Sequence, residues 1–175
     1  MTTRKSTRKT PKNATATSAT TTPIRAALVE KSSLRTAVVD GFAAVEKSHR
    51  PLFEDSIRTR VADSLDLDAA IRPGHERENR WDYLLGLDDQ AIVAVEPHSA
   101  EEGEIPVLIK KLEAAKDQLR PHLKTTARIQ AWLWVASGKV HFVDTEKVRR
   151  QLDQKGIRFV GTKVLPKHLP KTTAR

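Results

Sequence analysis

The feature that most constrains the fold is a pair of short apolar segments, each interrupted by one carboxylate. The segments are Trp81–Leu85, which contains Asp82, and Ala91–Glu96, which ends in Glu96. Their length and composition predict two β-strands, and the Gly-Leu-Asp-Asp-Gln sequence between them is typical of a turn. An ionised carboxylate in a buried strand costs several kcal/mol unless an opposite charge or a metal compensates it. These two acids therefore need a physical explanation.

A hairpin that turns at Asp88–Gln90 would place the two acids side by side. Residues facing each other would then have numbers that sum to 178, so Asp82 would lie opposite Glu96. Directly opposed residues share a face of the sheet, with Cβ atoms about 4.5–5.5 Å apart. His98 would point the same way, because side-chain direction alternates along a strand. A shift of one residue in register would send the acids to opposite faces.

Two neighbouring carboxylates favour a divalent cation. If both are ionised they repel each other, so either one holds a proton or a cation lies between them. Mg²⁺ is commonly bound by one or two carboxylates together with water and substrate phosphates. Such an ion polarises a phosphodiester and lowers the pKa of an attacking water. The pattern therefore predicts metal-assisted phosphodiester hydrolysis, with Mg²⁺ or Mn²⁺ held by Asp82 and Glu96.

The rest of the periodicity predicts an α/β fold with a mixed central sheet flanked by helices. Two helices are expected before the hairpin, one with an N-cap at Ser33 and the stripe Leu34, Val38, Phe42 and Val45, and one carrying Phe53, Ile57 and Val61. After the hairpin we expect a helix over about 104–120, a strand over 129–136, a helix over about 145–155 ended by Gly156, and a strand over 157–165.

The net charge of +9 is concentrated at the two ends of the chain. Residues 1–29 hold six Lys or Arg and no acid, and residues 163–175 hold four more, whereas Glu30–Thr162 carries 21 basic against 22 acidic residues. The N-terminal composition is too polar to form a core. We therefore predict a disordered basic tail over 1–30, one domain over 31–165 and a basic C-terminal tail over 166–175, with the tails helping to hold nucleic acid.

Several other classes of protein are poorly supported. The chain has no cysteine, which removes disulfides and thiolate metal sites. No apolar run approaches the roughly 20 residues of a membrane span, so no membrane partner is expected. Neither a P-loop nor a dinucleotide-binding glycine motif is present. The tail lacks the apolar stretch of a secretory signal, which favours a cytoplasmic location.

An acid in one strand, a second acid near the end of the next, and then a helix and a strand resemble the PD-(D/E)XK nuclease superfamily. This superfamily includes restriction endonucleases, junction resolvases and many phage-defence and repair nucleases. The resemblance covers roughly Trp81–Ala136, with Asp82 and Glu96 at the positions of the two acids. It implies a restriction-endonuclease-like core, a Mg²⁺ or Mn²⁺ site and nucleic acid, DNA in the first place, as the substrate.

The chain departs from this superfamily at two positions, and the more important is His98, which stands where a lysine is usual. A neutral imidazole could serve as general base or ligand, since its ordinary pKa lies near 6.5. Alternatively, Lys110 or Lys111 on the following helix could reach the site, which would resemble the members of the superfamily whose lysine is relocated. If neither does, the site is degenerate and binds without cutting. The proline that usually precedes the first acid is also replaced, by Trp81.

Structural roles for the same residues remain open at this point. Asp82 could pair with Arg80 or Arg128, and Glu96 could cap the next helix or mark a strand end. His98 could be structural. The alternative to a nuclease is a catalytically degenerate module on the same fold, which binds nucleic acid or a partner protein in a larger assembly, or forms a homodimer.

Overall fold

The computed structural model describes residues 21–101, 103–141 and 146–171. Its strands are β1 (Val39–Asp40), β2 (Val61–Asp66), β3 (Tyr83–Leu87), β4 (Ile92–Ala100), β5 (Ala131–Val140) and β6 (Ile157–Phe159). Its α-helices are α1 (Pro23–Ala27), α2 (Asp55–Arg60), α3 (Leu67–Ile71), α4 (Glu104–Leu119) and α5 (Glu146–Lys155). Short 3₁₀ helices cover Ser33–Ala37, Arg50–Leu52 and Pro166–His168.

The six strands form one mixed sheet in the order of the sequence, β1 to β6. Strands β1 to β4 are paired antiparallel, whereas β4, β5 and β6 run parallel. A parallel pair needs a crossover connection, and α4 and α5 lie in the two connections. The predicted α/β class with a mixed sheet and helices is therefore confirmed.

The β3–β4 hairpin has the predicted register. Tyr83 pairs with Val95 and Gly86 pairs with Ile92, so the paired residue numbers sum to 178. The turn closes through Gln90, whose φ of 68° lies in the left-handed region. This register fixes which side chains of β3 and β4 share a face.

Alternation along the strands divides the core into two layers, one on each face of the sheet. The layer under α4 includes Leu84, Ala94, Leu108 and Trp134. The layer on the other face consists of different residues, among them Phe53, Ile57, Leu85, Val93 and Val95. Even-numbered residues of β4, Glu96 among them, thus lie on the α4 face.

The helix predicted from Ser33 through Val45 is wrong. Its start is a 3₁₀ helix over Ser33–Ala37, the N-cap is Ser32, and the chain then enters β1. The apolar residues do not share one helical stripe, because Leu34 lies in the core under α4 whereas Val45 lies in the core on the other face. Their helical spacing is a coincidence of a loop that packs against both layers.

The second predicted helix is shorter than expected and leads into a strand that was not predicted. Helix α2 ends at Arg60, and Val61 begins β2. The sequence Val-Ala-Asp-Ser-Leu-Asp does not look like a buried strand, because it contains three polar residues. Asp63 and Ser64 are nevertheless fully buried and hydrogen-bonded, with Ser64 Oγ accepting from the Ala44 N–H.

The C-terminal elements follow the sequence closely except in length. Helix α5 runs to Lys155 and is followed by Gly156, whose φ of 83° explains the helix end. The predicted final strand over 157–165 is a strand only over Ile157–Phe159, although backbone hydrogen bonds to β5 continue at Val160 and Gly161. Val164 then forms an isolated bridge with Phe53.

Both predicted tails overlap with the folded domain. Helix α1 lies inside the segment predicted to be disordered, and its Ile24 is buried. At the other end, Leu169 is buried beyond the predicted domain limit of residue 165. The predicted boundaries at 30 and 165 are therefore corrected, while residues 1–20 and 172–175 lie outside the described residues.

Among the helices that the structure describes, none is long and apolar enough to cross a membrane.

Candidate functional site

The hairpin brings Asp82 and Glu96 together. Asp82 directly precedes β3, and the register of the hairpin places it across from Glu96 in β4. The backbone N–H of Asp82 donates to Oε2 of Glu96 over 3.0 Å. The Glu96 side chain is completely buried, whereas that of Asp82 remains 22% exposed. Asp82 is therefore the acid of this pair that solvent can reach.

Lys111 completes the site from α4. Its Nζ forms a close ion pair with Oε1 of Glu96 and lies 3.6 Å from Oδ1 of Asp82. Helical spacing explains this position, because Lys111 follows Leu108 by three residues and precedes Ala115 by four, and both are buried against the sheet. One ammonium group therefore neutralises part of the charge of both acids.

The structure separates the two lysines that the sequence left as alternatives. Lys110, the first of the pair, is exposed, whereas Lys111 lies between the carboxylates. Lys110 thus has no place among the site residues. The apolar face of α4 carries the signal that distinguishes them, since only Lys111 falls on the row of Leu108 and Ala115.

His98 lies beside the acids, on the same face of β4 as Glu96. Its Nδ1 is 3.7 Å from Oε1 of Glu96, and its Nε2 makes a 2.7 Å hydrogen bond with Oε2 of Glu104. Glu104 belongs to the first turn of α4 and was not among the predicted site residues. The sequence feature that could have indicated Glu104 is its position as the first residue of α4, the helix that follows β4.

Burial sets the protonation of the acid pair. Burial, and then the negative charge of Asp82, raise the pKa of Glu96 to about 8, although Lys111 and the N–H of Asp82 lower it. Burial also raises the pKa of Asp82, against the opposing charge of Lys111. Additional positive charge at the site would therefore favour the ionised forms of both groups.

The structural alternatives for these acids are partly excluded. Arg80, one proposed partner of Asp82, instead pairs with Asp68 through a 2.7 Å contact. The Glu96 side chain accepts from a neighbouring strand and from Lys111, so it does not cap α4. Its burial beside a second acid is not explained by either alternative role.

The residues present meet the minimum requirement for a divalent cation. Asp82 and Glu96 each place an oxygen near the same ammonium group, which shows that their charges converge on one position suited to a cation. Mg²⁺ needs one or two protein carboxylates, and water or substrate supplies its other ligands. In the described ranges, no group of three or more His, Cys, Asp or Glu side chains could hold a metal. A divalent cation at this point would thus have two protein carboxylates and would need its other ligands from water or a substrate.

Comparison of the chain with protein-family models, with curated proteins and with solved structures finds no significant match. The resemblance to the nuclease superfamily therefore stays a prediction that rests on the residues and on the arrangement described above.

Proposed function

We propose that this chain hydrolyses phosphodiester bonds in nucleic acid, DNA in the first place, with a divalent cation held by Asp82 and Glu96. The observation that carries the proposal is the convergence of two carboxylates, one fully buried, on the ammonium of Lys111. Replacing a buried ionic group by apolar residues often leaves a fold equally stable or more stable. A buried ionic group at the end of this hairpin is therefore explained better by a chemical role than by a contribution to stability.

Each residue of the site has a role in this proposal. Asp82 and Glu96 hold the cation, which would polarise the scissile phosphodiester and activate a water when bound. Lys111 carries a positive charge that stabilises the negative charge developing on the phosphate. His98, held by Glu104, lies where an imidazole can accept a proton from water.

The order of elements supports the same proposal. The antiparallel hairpin carries Glu96 in β4 and Asp82 just before β3, α4 follows and brings the lysine, and β5 then pairs parallel to β4. This is the succession of acid, acid, helix and strand on which the resemblance to the PD-(D/E)XK superfamily rests. In this proposal Lys111 on α4 supplies the positive charge that is lost where His98 replaces the usual lysine of the strand.

A second function is favoured by one observation. Lys111 already compensates the acid pair, and both oxygens of Glu96 have partners without a metal. A site satisfied in this way could be a degenerate one, in which the fold binds nucleic acid or a partner protein without cutting. The two functions differ in what a divalent cation does to the protein.

The adjacent lysines of α4 provide a matched test. With Mn²⁺ or Mg²⁺ we expect the full-length protein to cleave labelled DNA or RNA. Lys111→Met should lower the cleavage rate at least about 100-fold, because the charge at the reacting phosphate is lost. Lys110→Met removes the same charge one residue away on the exposed side and should change the rate less than about twofold.

A binding measurement separates chemistry from folding in these variants. Mn²⁺ should raise the melting temperature of the wild-type protein, because it binds the folded state. Asp82→Asn and Glu96→Gln should abolish this increase, whereas Lys111→Met should retain or enlarge it, since a competing cation is removed. Cleavage that is equal with EDTA and with Mn²⁺, or lost equally in both lysine variants, contradicts the proposal. A degenerate site would show no cleavage and no effect of Mn²⁺ on melting.

A further inference from the structure

Positive charge in the folded domain is concentrated in its last part. Residues 146–171 contain eight Lys or Arg and two Asp or Glu. The remaining described residues, 21–101 and 103–141, contain 17 Lys or Arg and 18 Asp or Glu. The domain is thus neutral over most of its length and strongly basic at α5, β6 and the 3₁₀ helix over Pro166–His168.

A cavity of about 520 Å³ lies in this basic part. Arg149 from α5, Arg158 from β6, and Lys167 and His168 from the 3₁₀ helix line it, and Asp153 is the acid among its described lining residues. We call this feature the basic cavity. Arg149, Arg158 and Lys167 are exposed, so their charges can meet a ligand without a rearrangement of the core.

The ring of His168 shows the effect of the surrounding charge. Burial, and then the charges of Lys167 and Arg158, lower the pKa of His168, which favours its neutral form. Its Nδ1 accepts the backbone N–H of Leu165 over 3.0 Å. The neutral ring therefore carries its proton on Nε2 and adds a hydrogen-bond donor to the cations around it.

The basic cavity is close to the acid pair in the sheet. Glu96 of β4 is in register with Trp134 of β5, and Trp134 is in register with Phe159 of β6, which lines the cavity. The rings of Trp134 and Phe159 are in contact, with centroids 4.5 Å apart. Two strand spacings separate β4 from β6, and Asp82, the accessible acid, lies one spacing further, next to β3, so roughly 14 Å separate it from β6. This distance corresponds to about four base steps of a nucleic-acid strand at 3.4 Å each.

We infer that the basic cavity binds backbone phosphates of a nucleic acid whose scissile bond lies at Asp82 and Glu96. Guanidinium and ammonium groups are the usual partners of phosphate, and Arg binds it through two parallel hydrogen bonds. These contacts position the strand and carry no base specificity. The inference rests on the proposed function for its catalytic part, whereas phosphate binding itself requires only the basic cavity.

The test compares two variants that lose the same charge. In one, Arg149, Arg158 and Lys167 are all changed to Gln; in its control, the exposed Lys31, Lys47 and Lys110 are changed to Gln. Binding of the full-length proteins to a labelled oligonucleotide is measured in EDTA, by fluorescence anisotropy, over about 50 to 200 mM salt. Each phosphate contact that is lost reduces the slope of log K against log salt by about 0.7 to 0.9.

We expect the cavity variant to lose about two units of slope and at least about tenfold in affinity, and the control to lose less than half as much. The double variant Arg149→Gln/Lys167→Gln leaves the Arg158 hydrogen bond to the His168 carbonyl intact. It should show an intermediate loss, which separates charge from folding.

Other results overturn the inference. Equal slopes in the cavity variant and its control would mean that total charge alone governs binding. Absence of oligonucleotide binding at low salt, with binding to phosphatidylserine vesicles that the cavity variant loses, would assign the basic cavity to a lipid surface. Cleavage without this slope effect refutes the inference and leaves the proposed function, whereas the slope effect without cleavage does the reverse.

Discussion

Asp63 in β2 and Glu96 in β4 are both completely buried acids, but different groups stabilise them. Asp63 accepts hydrogen bonds from the backbone N–H groups of Ile24 and Arg25 at the start of α1, over 3.1 to 3.2 Å. Glu96 has one backbone donor, and its main partner is the side chain of Lys111. Fixed backbone groups stabilise one acid, and a side chain that can move stabilises the other.

This difference separates a structural acid from a candidate functional one. The N–H groups that Asp63 accepts are ones that a helix start leaves without a partner, so the acid and α1 satisfy each other. Glu96 lies beside a second acid, and burial, followed by the charge of that acid, raises its pKa. A buried carboxylate whose compensation is incomplete or exchangeable can respond to a cation, whereas one held by the backbone cannot.

The largest expected effect on stability comes from Asp63, the acid that backbone groups stabilise. Asp63→Ala should lower the free energy of unfolding by about 3 kcal/mol, because the N–H groups of Ile24 and Arg25 would be buried without an acceptor. Urea denaturation measures this change. Asp40→Ala is the control, since Asp40 pairs with Arg25 at the surface and should contribute less than about 1 kcal/mol. Similar losses in both variants would contradict a structural role for the buried acid.

A somewhat smaller effect is expected from the glycine that faces Asp63. A Cβ on Gly86 would lie 2.0 Å from Oδ1 of Asp63 and 2.9 Å from Cβ of Pro23. Gly86→Ala should therefore destabilise the protein by about 2 kcal/mol through overpacking. Gly138→Ala in β5 is the matched control, because nothing lies within 4 Å of its added Cβ. Equal melting temperatures for the two variants would show that α1 does not pack as described.

The smallest expected effect on stability is that of Glu96→Gln, which should stabilise the protein, whereas the two substitutions above destabilise it. The folded protein keeps the proton on Glu96 up to a pKa of about 8, whereas the unfolded chain loses it near the ordinary value of 4.5. The wild-type free energy of unfolding should therefore fall as the pH rises between these values. Glu96→Gln lacks this dependence and should become more stable than wild type by about 1 kcal/mol at pH 8, since the NH₂ group of Gln would face one of the two donors that Glu96 accepts from, which offsets part of the gain.

Denaturation in EDTA at pH 5 and at pH 8 measures this change. At pH 5 both forms of residue 96 are neutral in the folded state, so the advantage of Gln should nearly disappear. A Gln variant that is less stable than wild type at pH 8 would show that the ion pair with Lys111 stabilises the fold. Glu96 would then resemble Asp63.

The hairpin was predictable because its information is local. Alternation in β3 and β4, together with a short polar turn, leaves one register that buries the apolar residues on both faces. That register alone predicts Asp82 across from Glu96. The helix over Glu104–Leu119 was equally clear, because its apolar face and its limits agree.

The region before the hairpin was not predictable from the same rules. Strand β2 contains buried Asp63 and Ser64, whose partners lie in α1 and near Ala44, far away in sequence. Polar residues with distant partners look like a loop when only the local pattern is considered. The position of Glu96 was therefore predictable from the local sequence pattern, whereas the burial of Asp63 was not.

Within the site, the apolar face of α4 indicates that Lys111 rather than Lys110 faces the sheet, but its contact with Glu96 depends on the packing of the helix. The sequence offered Lys110 and Lys111 on one helix, and only the packing of α4 on the sheet turns Lys111 toward Glu96. The role of Glu104 as the partner of His98 depends on how the chain turns between β4 and α4. Pattern predicted the elements, and packing determined the contacts.

The position of β6 has a further consequence. It is the last strand of the sheet and only three residues long, so its outer side offers backbone groups to which another chain could add. Arg158 on this strand and Lys167 beside it would repel the same cations of a second copy. Short length and like charge are two ways in which proteins avoid aggregation through an open sheet edge. The cations that we propose to bind phosphate would thus also disfavour pairing of this edge with a second copy, and a bound polyanion that neutralises them would weaken this effect.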